Sequence, residues 1–141
     1  MDVVFLIGRL LLAAVFISSG LMAHFVGYRR GVEFARSYGA PMPELTVPAT
    51  GALAIGGGLL VAFGIWADLG ALMIAAFLVL ITPIMHAYWK ETEAQARQSQ
   101  QVNFTKNLAL LGGALIVFYL YNQLQGEAGL SLTDPLFGRA D

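Results

Sequence analysis

Cysteine is absent from the 141 residues, histidine occurs only twice, and charged residues make up 12% of the chain. Without cysteine there is no disulfide, no thiol nucleophile and no thiolate for a metal, and the redox compartment is left open. The charged fraction is about half the roughly 25% of a soluble domain. Eight basic and nine acidic residues leave a net charge of −1. So weak a field does not hold a polyanion, which sets nucleic acid aside as a partner. Apolar residues are what the chain has in excess: 57% of it is hydrophobic, and its mean hydropathy is +0.69. A disordered chain needs the opposite composition. A soluble domain this short has too little interior to hide so much apolar surface. The bilayer is its natural solvent.

Long apolar runs divide the chain into one transmembrane domain over residues 1–141, with spans at about 3–25, 46–64, 68–87 and 103–124 and a tail at 125–141. Each run is long enough to cross a hydrocarbon core about 30 Å thick. A cleaved signal peptide is the rival reading of the first run. It needs a basic start and a short apolar stretch, whereas this run is long and begins Met-Asp. Segments of about ten residues alternating in polarity would mark a barrel; none is visible, and uninterrupted runs demand helices, which satisfy their own backbone. The expected fold is therefore all-α, an integral membrane four-helix transmembrane bundle. Arg30 to Tyr38 is expected to form a short interfacial helix, ended by Gly39, Pro41 and Pro43. Pro48 is expected in the first turn of the second span, and residues 90–102, rich in Gln and Glu, in a polar loop.

Four spans put the connections 26–45 and 88–103 on one side. They carry Arg29, Arg30, Arg36, Lys90 and Arg97, with Lys106 just beyond. The positive-inside rule places both connections in the cytoplasm and both termini outside. Lipid gives no hydrophobic drive between helices, so close packing of small residues must hold the bundle. Ala54, Gly58 and Ala62, the run Gly56-Gly57-Gly58, Ser18-Ser19-Gly20, and Ala109 with Gly113 are read as such contacts.

Ionisable groups inside spans are costly and mark candidate sites. On the cytoplasmic side His24 ends the first span, His86 ends the third, and Lys106 and Asn107 open the fourth. Thr82 shares the face of His86, and Glu33 and Glu44 are near in sequence. Together these form a candidate ligand-binding polar layer: the imidazoles hydrogen-bond a quinone carbonyl or relay a proton, and Lys106 holds an anionic group. Snorkelling of His and Lys to the headgroups is the plain alternative. At the other end Arg9 and Asp68 are candidates for a structural ion pair. Both histidines sit at span ends, where a bis-His haem is not expected. Asp68 is the one carboxylate within the spans, too few for a dinuclear metal site, so no metal is assigned. Trp66, Tyr88 and Trp89 stand at span borders, as aromatic belts do.

Several of these pieces together resemble the DoxX family of small four-helix bacterial membrane proteins: GRLLLAAVFISSGLMAHF (8–25), SYGAPMP (37–43), GGLLVAFG (57–64), HAYW (86–89), NFTKNLALLGG (103–113) and GLSLTD (129–134). Relatives often carry a glutamate in the second helix before the Gly-Gly pair; Ala54 stands there in this chain. The resemblance implies a multi-pass protein of the bacterial inner membrane. It also implies a subunit associated with a quinone-linked redox complex, accessory rather than catalytic by itself, since the family includes a subunit of a thiosulfate:quinone oxidoreductase. Any enzymatic role would be as such a subunit, with quinone as the one cofactor in view. The partners implied are membrane lipids and either other membrane subunits or further copies of the chain. Two readings compete with this: a purely structural assembly subunit, and a small transporter, for which the sequence shows no internal repeat.

Overall fold

The computed structural model describes residues 2–124 and 130–137. The elements in order are α1 (Asp2–Ser19), which runs on as a π-helical segment (Gly20–Val26), α2 (Tyr28–Ser37), α3 (Pro43–Phe63), α4 (Ala67–Met85), a 3-10 turn (Tyr88–Lys90) and α5 (Ala94–Leu124). No strand occurs among the described residues. Four helical stretches are long and apolar enough to cross a membrane: Val3–Val26, Pro43–Phe63, Ala67–Lys90 and Ala94–Leu124. The short amphipathic α2 is the fifth helix, and it lies in the first connection as its apolar residues predict. The four-helix membrane fold expected from composition is therefore the observed one.

Two boundaries differ from expectation, each for a local reason. Met42 in the left-handed region (φ 42°) and Pro43 at the first helical position start α3 earlier than residue 46. Pro48 consequently lies inside the helix instead of in its first turn. Its missing N–H orphans the Glu44 carbonyl, and the Tyr28 hydroxyl donates to that oxygen at 3.1 Å. α5 begins at Ala94, so most of the expected polar loop is helical. Its 31 residues extend about 46 Å at ~1.5 Å per residue, beyond the hydrocarbon thickness. A polar first turn pair outside the bilayer needs no apolar face, which is why hydropathy gave no sign of it.

α3 packs on α1, α2 and α4, and α4 packs on α5; α1 and α5 touch little. The interior is built of small side chains, with Ala13, Ala54, Ala67, Ala71 and Ala114 buried beside Phe16, Ile74, Leu78 and Tyr121. The bulky aliphatics face outward: Val4 is 73% exposed and Leu11 66%. That inversion suits a lipid solvent, in which packing and not apolar burial holds helices together. α3 and α4 approach backbone to backbone, where a Cβ on Gly57 would lie 2.8 Å from the Gly70 carbonyl and one on Gly70 2.8 Å from the Gly57 carbonyl. Gly58 meets α1 at Ile17 and the Ala13 carbonyl, and Gly20 meets Ile55 on α3. Ser18, Ser19 and Ala109, expected at interior contacts, are exposed instead. The Ser18 hydroxyl donates to the Ala14 carbonyl at 2.7 Å, a back-bond that loosens a helix just before it widens into the π segment.

The tail does more than run over the surface. Leu132 and Thr133 donate backbone N–H groups to the Gly64 carbonyl at 3.0 and 3.1 Å, and the Trp66 N–H donates to Thr133 Oγ1 at 2.9 Å. This strap clamps the tight α3–α4 turn, where Gly64 has φ 64° and Trp66 φ 41°. Gly64 suits that left-handed position because it has no Cβ.

Candidate functional site

At the end of the bundle that carries both connections, the π segment of α1 crosses α3 over Gly51. A Cβ at residue 51 would collide with His24 Cβ and Cγ and approach the Phe25 ring at 3.1 Å. The glycine therefore sets how closely His24 lies against α3. His24 Nδ1 is 2.6 Å from the Val47 carbonyl and 3.3 Å from Thr50 Oγ1. A carbonyl only accepts, so Nδ1 carries the proton. The ring edge packs on Phe77 with centroids 5.9 Å apart.

His86 follows α4 and is held by α5. Its Nδ1 lies 2.8 Å from Gln100 Oε1. Gln100 Nε2 donates to the Tyr38 hydroxyl oxygen at 2.6 Å, and that hydroxyl donates to Glu91 Oε1 at 2.9 Å. These bonds tie the end of α2, the second connection and α5 together, so both connections lie at one end of the molecule. Burial and the bond to Glu91 raise the Tyr38 phenol above its ordinary pKa, with the Gln100 bond opposing. The phenol stays a donor at neutral pH.

Both histidines line one cavity of about 330 Å³ between the π segment, α2, α3 and α4. Its other walls are mainly apolar, with Ala35, Val47, Ile81, Ile84 and Met85, and Thr50 adds a hydroxyl. Phe34 and Leu80 also line it, and they are 45% and 56% exposed. The cavity therefore reaches the outer surface of the bundle between α2 and α4. Its volume is at the lower end of the ~300–1,000 Å³ range of small-molecule sites. With Nδ1 committed on each ring, Nε2 is the nitrogen left for an occupant.

The remaining members of the expected polar layer are placed elsewhere. Asn107 Nδ2 donates to Thr82 Oγ1 at 3.1 Å and bridges α5 to α4. Lys106 is exposed and lies outside the cavity lining. Helical spacing explains the split: adjacent residues on α5 project about 100° apart, so only one of the two turns inward. Glu44 pairs with Arg36 on the exposed rim, Glu33 is exposed, and the carboxylate linked to His86, through Tyr38 and Gln100, is Glu91. Sequence reading missed Tyr38, Glu91 and Gln100. Gln100 stands seven residues before Asn107, two turns away on the same face, and that spacing was the available signal. Among the described residues no three His, Asp or Glu side chains come together.

At the opposite end Arg9 and Asp68 are buried, 2% and 0% exposed, but they come no closer than 4 Å and form no ion pair. The tail intervenes. Arg9 Nη1 donates to the Tyr121 hydroxyl and, at 3.0 Å, to Ser131 Oγ; Nη2 donates to the Leu130 carbonyl at 2.9 Å. Tyr121 and Ser131 are themselves 2.7 Å apart. The Asp68 Oδ2 accepts the Phe137 N–H at 2.6 Å. Asp68 also stands in the first turn of α4, where the helix dipole favours a negative group. The expected ion pair is thus replaced by two separate clamps on the C-terminal strap. The sequence shows which charges lie at this end, but a tail without periodicity gives no sign that it supplies their partners.

The DoxX family model matches residues 4–87, which hold α1 to α4 and both histidines. The inner membrane protein YphA of Escherichia coli is 27% identical over 115 residues, covering 82% of this chain and 81% of that protein. No solved structure matches. With four membrane-crossing helices, a family match over more than half of its length and an inner-membrane relative along most of it, the chain belongs to the DoxX family and is a multi-pass protein of the inner membrane.

Proposed function

We propose that this chain holds the headgroup of a lipophilic quinone or quinol in the cavity between His24 and His86, as an accessory membrane subunit of a quinone-linked redox complex. One observation carries the reading: the only two histidines of the chain, one in the π segment and one just after α4, line the same mainly apolar cavity. The lateral opening beside Phe34 and Leu80 suits a ligand that arrives from the bilayer, and a headgroup with two opposed oxygens suits two imidazoles. The chain's own part in this reading is to bind and orient the headgroup.

The test uses the full chain in lipid nanodiscs with 2,3-dimethyl-1,4-naphthoquinone, in oxidised and reduced form, as probe. Saturable binding is expected. His24→Ala and His86→Ala are each expected to weaken it about tenfold, the size of one hydrogen bond lost in a desolvated site. Absence of saturable binding, or binding indifferent to both substitutions, refutes the reading. A second reading, a purely structural assembly subunit, draws on the α1–α5 side. Gly8, Ala109 and Gly113 line a groove there, and a Cβ on Gly8 would meet open space, as a helix-contact position awaiting a partner would. A stable complex that co-purifies unchanged when both histidines are alanine favours that reading.

A further inference from the structure

The two histidines are set in the same tautomer by different means. At His24 a backbone carbonyl fixes Nδ1 as the protonated nitrogen. At His86 the partner is an amide, which presents either an oxygen or an NH2 group. The direction of that bond is decided farther out. Glu91 Oε1 belongs to a carboxylate, which only accepts, so the Tyr38 O–H points to it. The Tyr38 oxygen then accepts from Gln100 Nε2, which leaves Gln100 Oε1 facing His86. Each bond follows from the one before, and the series ends with a proton on His86 Nδ1.

We propose that Glu91, acting through Tyr38 and Gln100, holds neutral His86 in its Nδ1–H tautomer, so that His24 and His86 both present acceptor nitrogens and the cavity selects hydroxyl-bearing headgroups over carbonyl-bearing ones. The ligand half rests on the proposed function; the tautomer half does not. A hydroquinone offers two O–H donors to two bare Nε2 atoms. A quinone offers two carbonyl acceptors, which leaves four acceptors facing one another without a proton. Gln100, Tyr38 and Glu91 are positioning residues, since they act on the ligand through His86.

The experiment is 15N NMR of histidine-labelled full-length protein in nanodiscs at mildly alkaline pH, where a neutral imidazole reveals which nitrogen holds its proton. Both histidines of the wild type are expected as Nδ1–H. Gln100→Leu is expected to shift His86 to Nε2–H, the form a free side chain favours, while His24 stays unchanged and reports that the fold is intact. Gln100→Glu keeps an acceptor and is expected to restore Nδ1–H. Tyr38→Phe and Glu91→Gln are expected to give mixtures. Nε2–H on His86 in the wild type, or a His86 signal indifferent to all four substitutions, overturns the assignment without need of any variant's activity. Binding of the naphthoquinone probe is then compared under reducing and oxidising conditions. The reduced form is expected to bind about tenfold tighter, with the ratio falling towards one in Gln100→Leu. Equal binding of the two forms with the expected tautomers overturns the selectivity. Failure of both forms to bind, with the tautomers as expected, refutes the proposed function and leaves the positioning of His86 standing.

Discussion

Alanine placed at Gly57, Gly56 and Gly112 in turn should give three different stabilities, although the chemical change is the same. At Gly57 the new methyl would sit 2.8 Å from the Gly70 carbonyl, 3.0 Å from Met73 Cβ and 3.1 Å from Ile74 Cγ1. Two of these atoms are backbone or backbone-proximal, so α3 and α4 must separate. Overpacking of this kind costs about 1–3 kcal/mol, against roughly 1 kcal/mol regained when Gly becomes Ala in a helix. The expected net loss is up to about 2 kcal/mol. At Gly56 the methyl would meet only Met73 Cε, at 3.0 Å. That is the free end of a flexible thioether, and a small rotation clears it, so Gly56→Ala is expected near neutral. At Gly112 nothing lies within 4 Å, and Gly112→Ala is expected to be neutral or stabilising. Unfolding by SDS titration in mixed micelles, followed by circular dichroism, measures the series. If Gly57→Ala proves as stable as Gly112→Ala, the account of α3–α4 contact as a joint that only glycine allows is wrong.

Arg9→Leu removes the donors to Leu130, Ser131 and Tyr121, and should release the strap; rapid protease cleavage near residue 130 in intact proteoliposomes checks it, and unchanged resistance refutes it. Tyr38 holds its proton more tightly folded than unfolded, so the unfolded chain ionises first as pH rises through the ordinary value of 10.0. Folding stability is therefore full below that value and declines as pH climbs towards the raised folded pKa; Tyr38→Phe should abolish this component in alkaline denaturation profiles. Reporter fusions at residues 35 and 95 should give the same sidedness, because Tyr38, Glu91 and Gln100 bind one another, and the arginine-rich connections predict that side to be cytoplasmic.

The four membrane-crossing helices and the close approaches at Gly20, Gly57 and Gly58 were legible because lipid imposes a strong constraint: backbone groups must be satisfied within long apolar helices. His24 and His86, which line one cavity, stand out in the sequence for a related reason, as polar groups that a span tolerates only at a cost. The partners of those groups were not. Gln100 lies in a polar stretch with no apolar period, and its helix extends beyond the hydrocarbon, where hydropathy carries no information. Arg9 and Asp68 looked like a pair because opposite charges at one end invite pairing. Their true partners are backbone groups and hydroxyls of the tail, which composition does not distinguish from any other exposed segment. Lys106 and Asn107 are adjacent in sequence and so were grouped together, yet a helix turns neighbours away from each other.

The Arg9 clamp fixes an order of events during synthesis. Arg9 emerges from the ribosome 112 residues ahead of Tyr121 and 122 ahead of Ser131. The first helix therefore enters the bilayer with a guanidinium two turns deep and no native acceptor for it. Until Tyr121 and then Leu130 and Ser131 are translated, that charge must be met by water, by lipid phosphate or by the insertion machinery. Closure of the bundle at this end thus waits on the tail: a product cut short before residue 130 keeps Tyr121 but lacks the Leu130 and Ser131 acceptors of the guanidinium.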